Sequence, residues 1–304
     1  QAAQTVFPAM RLLPDQYLCF TVHQPVICMS YPIYYLDTFT DRPFGGNPTA
    51  VVCADLSMQA ETMQAIAAEL NLPVTAFIIA KKDQPAGYSI RYFTPTTEIP
   101  ACGHATLAAA RVVHLREKSS SVLFETIQKK LIPANCTEKL ITINYAPLPW
   151  THVQVDHEVL QALGLTVYCT AFFSPELETL FIETENETIL RQLQPDYPRL
   201  VKSTNHIKEV VVTCLPEGNG YDYVLCSFCP WIGIDEDPVT GSVQAVLAGY
   251  WKQRLQKNEL VAWQASARGG KLMVSYYKEA VVLGGETALV MEGRLNRTLL
   301  SHVM

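Results

Sequence analysis

Two short segments of this chain are versions of each other, and a chain with an internal duplication is constrained to fold as two similar halves. The first runs Ile99-Pro100-Ala101-Cys102-Gly103-His104-Ala105-Thr106 and on to Ala110. The second runs Glu236-Asp237-Pro238-Val239-Thr240-Gly241-Ser242-Val243 and on to Ala248. Each joins a glycine-bearing turn to an alanine-rich helix. Each follows an apolar strand ending in Phe-x-Pro, at Phe93-Thr94-Pro95 and at Phe228-Cys229-Pro230. A helix start presents unpaired N–H groups and partial positive charge. Two of them facing one another would grip a small anion, most simply a carboxylate. Titratable side chains beside them, Cys102 and His104 in one turn and Asp237 in the other, can then move protons on the bound molecule.

The rest of the pattern supports two halves. Ile33 to Phe39 and Thr49 to Ala54 read as strands around a turn-rich loop from Asp41 to Pro48. Ser57 is placed to cap a helix that runs to Leu70, with Met63, Ile66, Ala67 and Leu70 on one face. Strands follow at Val74 to Ala80 and Ser89 to Phe93, then the first repeated helix to about His114, then strands at Ser121 to Phe124 and Leu140 to Tyr145. The second half repeats the plan. Short helices are predicted over Glu158 to Leu163 and Glu187 to Gln194. Strands are predicted at Ala171 to Phe173, Thr179 to Ile182, Val210 to Leu215 and Tyr223 to Phe228. The second repeated helix is predicted from Thr240 to Lys252. Strands at Leu260 to Gln264, Lys271 to Tyr276, Glu279 to Leu283 and Val290 to Gly293 close the chain. A helix with alanine on most faces suits burial inside a curved sheet. The expectation is an α+β fold with the active site where the halves meet.

Composition narrows the function. The 304 residues are 49% hydrophobic and 17% charged, the balance of a globular protein rather than a disordered one. A net charge of −6 without a Lys/Arg cluster argues against nucleic-acid binding. No apolar stretch reaches membrane-spanning length, so no membrane partner is expected. Nine cysteines, an odd count without a short framework, read as reduced thiols in a cytoplasmic protein. Cys226 and Cys229 match C-x-x-C, but they lie in and just after a strand, where positions three apart face opposite ways. No second pair completes a zinc site, and no metal is expected. Residues 1–28 lack a clear period, precede Met29, and read as an N-terminal extension.

Four motifs in order resemble the PhzF-like phenazine-biosynthesis family. They are Leu36-Asp37-Thr38-Phe39-Thr40 with Gly45-Gly46-Asn47-Pro48, then Cys102-Gly103-His104-Ala105-Thr106, then Asp235-Glu236-Asp237-Pro238-Val239-Thr240-Gly241-Ser242, and a weaker Arg268-Gly269-Gly270. The match covers nearly everything after Met29. The resemblance implies the diaminopimelate-epimerase-like fold, two pseudo-symmetric halves each with a central helix wrapped by a curved mixed sheet. Residues 29–148 would form the first half, joined by a C-terminal strand from about 284–304, and residues 149–283 the second. It implies proton-transfer chemistry without a cofactor, in a homodimer, on a small carboxylic acid.

The implied catalytic residues are His104, Asp237 and Cys102. The implied substrate-binding residues are Asn47, Gly103, Ala105, Thr240, Gly241 and Ser242. Each has a plainer alternative. His104 and Asp237 suit capping, Cys102 is either a thiolate lowered by its helix start or a small buried residue, and Thr240 and Ser242 either donate to a carboxylate or cap. Asn47 either bonds a ligand or stabilises an Asn-Pro turn. Related racemases carry a cysteine at each helix start, but Pro238 stands near the second position, so a two-cysteine mechanism is not expected.

One departure matters. The family pattern places a proton-shuttling glutamate just after the Asn-Leu that ends the first helix, and here the run is Asn71-Leu72-Pro73-Val74. Losing a positioned acid/base costs about 100- to 10,000-fold in rate. Glu69 is close in sequence but lies on the preceding helix, and Glu98 lies a few residues before Cys102. Two readings follow: an isomerase that shifts a proton on a small acid, or a small-acid binder or regulatory protein that kept the pocket and lost the acid. Metal-assisted hydrolysis through Cys102 and His104 is a weaker third, because the ligand set is incomplete.

Overall fold

One hydrogen-bonded sheet runs through both halves of the chain. The computed structural model describes residues 30–296 apart from Ser57, Lys82, Asp83 and Pro85. The expectations for the N-terminal extension and for a Ser57 cap lie outside the described residues.

The first half contains β1 (Ser30–Thr38), β2 (Asn47–Cys53), α1 (Ala60–Leu70), β3 (Val74–Ala80), β4 (Gly87–Phe93), β5 (Glu98–Ile99), α2 (Gly103–Glu117), β6 (Ser121–Thr126), β7 (Leu131–Cys136) and β8 (Leu140–Tyr145). The second contains β9 (Thr151–His152), α3 (His157–Leu163), β10 (Thr170–Ser174), β11 (Thr179–Glu183), α4 (Glu187–Arg191), α5 (Tyr197–Ser203), β12 (Glu209–Cys214), β13 (Tyr223–Phe228), a 3-10 turn at Pro230–Ile232, α6 (Gln244–Leu255), β14 (Glu259–Gln264), β15 (Gly270–Tyr277) and β16 (Ala280–Asn296).

Strand order is β1-β2-β3-β4-β6-β7-β8-β16-β15-β14-β13-β12-β11-β10-β9, and β1 also pairs with β16. The first half therefore closes into a ring. The two strands expected at 279–283 and 290–293 are one strand. Its beginning bonds β8 and β15, and its end bonds β1. The pairing repeats between halves: β2·β3 and β4·β6 are parallel, as are β11·β12 and β13·β14, while β3·β4 and β12·β13 are antiparallel. The fold is the expected α+β architecture of two pseudo-symmetric halves.

Helix α2 has no polar face. It is buried at every position from His104 to His114, as a helix enclosed by a ring of strands must be. Its alanines share one core with Val243, Val246, Leu247 and Trp251 of and just before α6, so the central core spans both halves. Smaller cores lie outside the sheet, under α1 in the first half and under α3, α4 and α5 in the second. No described helix is long and apolar enough to cross a membrane.

The second repeated helix begins later than expected, at Gln244 rather than Thr240. Residues 241–246 instead form tight i→i+3 bonds, Gln244 N to Gly241 O at 3.2 Å and Ala245 N to Ser242 O at 3.1 Å. Gln264 holds this turn in shape. Its Oε1 accepts the Thr240 N–H at 2.7 Å and its Nε2 donates to Asp237 O at 2.7 Å.

Candidate active site

The loop before β2 is locked by a buried charge. Asp37 is fully buried, and its Oδ1 accepts from Arg268 Nη2 at 2.6 Å. Arg268 also donates to Gly46 O and Gly45 O, both at 2.8 Å, and Asp37 Oδ2 accepts the Phe44 N–H at 2.7 Å. Gly46 has φ +59°, and a Cβ there would run into the Thr38 carbonyl, so glycine is required. Burial raises the Asp37 carboxyl, with the Phe44 amide and Arg268 pulling it back. The Arg268-Gly269-Gly270 motif thus works as a clamp between the halves, fixing where β2 begins.

Asn47 starts β2 and is fully buried. Its Nδ2 lies 2.9 Å from Asp237 Oδ1, 2.9 Å from Val239 O and 3.3 Å from His104 Nδ1. The two oxygens at 2.9 Å identify that atom as the amide nitrogen. Two hydrogens serve the two shorter contacts best, and the His104 contact is the weakest. Asn47 Oδ1 is buried without a partner among the described residues.

Asp237 both caps and connects. Its Oδ2 accepts from Thr240 Oγ1 at 2.6 Å, its N–H donates to Ser227 O at 3.0 Å, and Oδ1 faces Asn47. His104 sits in the first turn of α2, where burial pushes its imidazole down and the charge on Asp237 pulls it up, the net direction being down. The ring is therefore neutral near pH 7.

Cys102 Sγ is 3.4 Å from His104 Nδ1 and 3.6 Å from Nε2. Near-equal distances place the sulfur beside the ring, in line with neither nitrogen. Burial pushes this thiol up to about 12 against the pull of the Ala105 and His104 amides. It is protonated at neutral pH, and the helix start does not make it a thiolate.

The two glycines mark a residue that the motifs did not reveal. A Cβ on Gly103 would collide with Tyr145 Oη, and one on Gly241 would come within 3.6 Å of it. The hydroxyl of Tyr145, the last residue of β8, therefore lies between the two helix starts. It is buried and has no partner among the described residues. Burial, then the neighbouring Cys102, keeps this phenol neutral, so it is a donor.

The structure thus brings Asn47, Cys102, Gly103, His104, Asp237, Thr240 and Gly241 to one place. Ser242 is half-buried in the same turn. Ala105 is fully buried in the core, and its amide is directed at the Cys102 sulfur. The nearby carboxylates do not join. Glu98 is paired with Arg91 at 2.7 and 2.8 Å, and Glu69 is exposed on α1. Val74 packs into the central core. Among the described residues no group of three or more His, Cys, Asp or Glu side chains is arranged to hold a metal ion, and the seven described cysteines are free.

Residues 36–293 match the family described as phenazine biosynthesis-like protein, PhzC-PhzF. A human phenazine biosynthesis-like domain-containing protein is 37% identical, the match covering 88% of this chain and 99% of the relative. An uncharacterised isomerase of Halalkalibacterium halodurans is 34% identical over the same shares. A crystal structure of a PhzF-family phenazine biosynthesis protein from Enterococcus faecalis superposes with a TM-score of 0.80 at 32% identity, covering 88% of this chain and 99% of that one. With the fold, the paired helix starts and these matches in agreement, the chain belongs to the PhzC-PhzF family of phenazine biosynthesis-like proteins.

Proposed function

We propose that the protein is an isomerase that moves a proton on a small carboxylic acid held between the starts of α2 and α6, without a cofactor. The observation that carries this reading is the Asn47 side chain, which joins His104 of one half to Asp237 of the other through a single amide nitrogen. Relatives named as isomerases support it.

The parts divide by chemistry. Amides of the two turns and the neutral Tyr145 hydroxyl bind the substrate carboxylate. Donors fixed before the reaction stabilise charge without reorganising. The neutral His104 imidazole carries one N–H and is a proton donor in this reading. Asp237, held by Asn47 and Thr240, orients that assembly and sets its charge. The Cys102 thiol, protonated, fills space beside the imidazole.

The test is proton exchange in D₂O, followed by NMR on a panel of hydroxyproline, methylitaconate, and cyclohexadiene carboxylic acids. Exchange by the unmodified protein that His104→Ala or Asp237→Asn reduces at least 100-fold is the expected result. Silence across the panel, with the same acids still bound as judged by calorimetry, would favour the second reading. That reading, a small-acid binder, rests on Val74, a side chain that cannot carry a proton and packs into the core.

A further inference from the structure

The duplication places a carboxylate where the motifs do not look. In the first half, Thr49 of β2 stands opposite Val74, the first residue of β3, and the next rung pairs Thr75 with Phe93. In the second half, Thr179 of β11 stands opposite Glu209, the first residue of β12, and the next rung pairs Val210 with Phe228. Phe93 and Phe228 are the phenylalanines of the two Phe-x-Pro turns. Glu209 is therefore the symmetry mate of Val74.

Both face inward. Val74 belongs to the central core with Ala76 and Ile78. Val211, on the same face of β12 as Glu209, belongs to that core too, whereas Val210 and Val212 pack outward. The paired threonines record the difference. Thr179 Oγ1 donates to Glu209 Oε2 at 3.1 Å. Its mate Thr49, opposite a valine, has a buried hydroxyl without a partner among the described residues.

Glu209 is linked to the site already described through Ser227. Ser227 Oγ donates to its Oε1 at 2.5 Å, and the carbonyl of the same Ser227 accepts the Asp237 N–H at 3.0 Å. Glu209 keeps some solvent exposure although it lies deep in the fold. The groups facing it are the two hydroxyls, the anion Asp237 from the turn before α6, and the Cys229 thiol at the end of β13. Burial is the main cause that raises its carboxyl, and Asp237 adds to it. The hydrogen bonds from Ser227 and Thr179 oppose the rise, which ends at about 7. A carboxyl near 7 can both take and give a proton at neutral pH.

We infer that Glu209 is the proton-transferring acid/base of this site, supplied by the second half at the position that mirrors Val74. This rests on the proton-transfer reading above. The substrate class it implies is an unsaturated carboxylic acid with a C–H bond next to its π-system. That C–H bond breaks, the proton forms an O–H bond on the Glu209 carboxylate, and the electron pair enters the adjacent π-system. The double bond shifts, the carboxyl proton exchanges with solvent, a proton from the Glu209 carboxyl is delivered to the far carbon, and the Glu209 O–H bond breaks, leaving the protein unchanged.

The test uses the full chain and the D₂O exchange assay with cyclohexadiene carboxylic acids and methylitaconate. Glu209→Gln is expected to lower kcat by about 100- to 10,000-fold with KM within a few-fold. Ser227→Ala removes a hydrogen bond to the charged form, so the acid limb of the kcat profile should move to higher pH. A Glu209→Gln protein that exchanges within threefold of the parent overturns the assignment while leaving the isomerase reading intact. If Glu209→Gln fails to fold, an acid limb unmoved by Ser227→Ala overturns it instead. A parent protein silent on the whole panel overturns the isomerase reading and this assignment together.

Discussion

Asn47 Nδ2 stands 2.9 Å from Asp237 Oδ1, a hydrogen bond between the start of β2 in one half and the turn before α6 in the other. The same nitrogen faces His104, so the charge on Asp237 is coupled to the imidazole. Burial holds that imidazole below its ordinary value and Asp237 resists. Asp237→Asn therefore removes the opposing influence and should lower the His104 midpoint further. The imidazole Cε1–H resonance followed through a pH titration checks this, and an upward move would contradict the geometry. The linkage has a definite sign. A lowered imidazole means that the unfolded chain binds the proton more readily, so this contribution to stability is lost as pH falls below 6.5.

Arg268 is the cation opposite a carboxylate with no exposure to solvent. Arg268→Ala leaves Asp37 buried without it and should cost about 3–5 kcal/mol in denaturant unfolding. Asp37→Asn added to it should recover part of the loss, because the charge is then gone. The Asp37 carboxyl is already raised by burial, so its ionised form is disfavoured in the fold and stability falls as pH rises above 3.8. Without Arg268 that fall becomes steeper.

Gly103 and Tyr145 are fitted to one another. Gly103→Ala gains some helix propensity, about 0.5–1 kcal/mol. The new methyl strikes Tyr145 Oη, and overpacking costs about 1–3 kcal/mol, so the clash wins. Tyr145→Phe removes the struck atom, and the double variant should be more stable than the sum of the singles predicts. Alone, Tyr145→Phe should be near neutral for stability, since the hydroxyl has no described partner, and it should raise KM for the carboxylate. Thermal melts of the four proteins close the cycle.

Much of this site was legible because its motifs are local. Phe-x-Pro, a glycine turn and an alanine helix are readable within about a dozen residues, and the strands at Val74–Ala80, Leu140–Tyr145 and Tyr223–Phe228 carry their periodicity openly. Other features come from distant chain segments. Tyr145 ends a strand with no motif around it and reaches the site only because its hydroxyl extends from the end of β8 to Gly103 and Gly241. Strand β7 was hidden by Pro133, a residue that ordinarily argues against a strand. The start of α6 shifted because Gln264 fixes the Thr240 amide from another strand. Glu209 had a usable signal: it stands as far downstream of Val74 as Phe228 stands of Phe93. Comparing the halves residue by residue, rather than motif by motif, exposes it.

Thr49 and Thr179 offer a paired test of that comparison. Thr49→Val deletes a buried hydroxyl that has no described partner, so it should be neutral or stabilising by up to about 1 kcal/mol. Thr179→Val deletes the donor to Glu209 Oε2 and should destabilise by about 1–2 kcal/mol at neutral pH. The pH dependence separates them further. The Glu209 carboxyl is raised from 4.5 to about 7 in the fold. The folded chain therefore holds a proton that the unfolded chain has released, and stability declines as pH rises through that window. Thr179→Val raises the carboxyl again and should deepen the decline, Glu209→Gln should flatten it, and Thr49→Val should leave it unchanged. Denaturant midpoints at pH 4.5 and pH 8 for these three variants measure it. A Thr179→Val slope equal to that of the parent would mean that the hydroxyl does not act on Glu209.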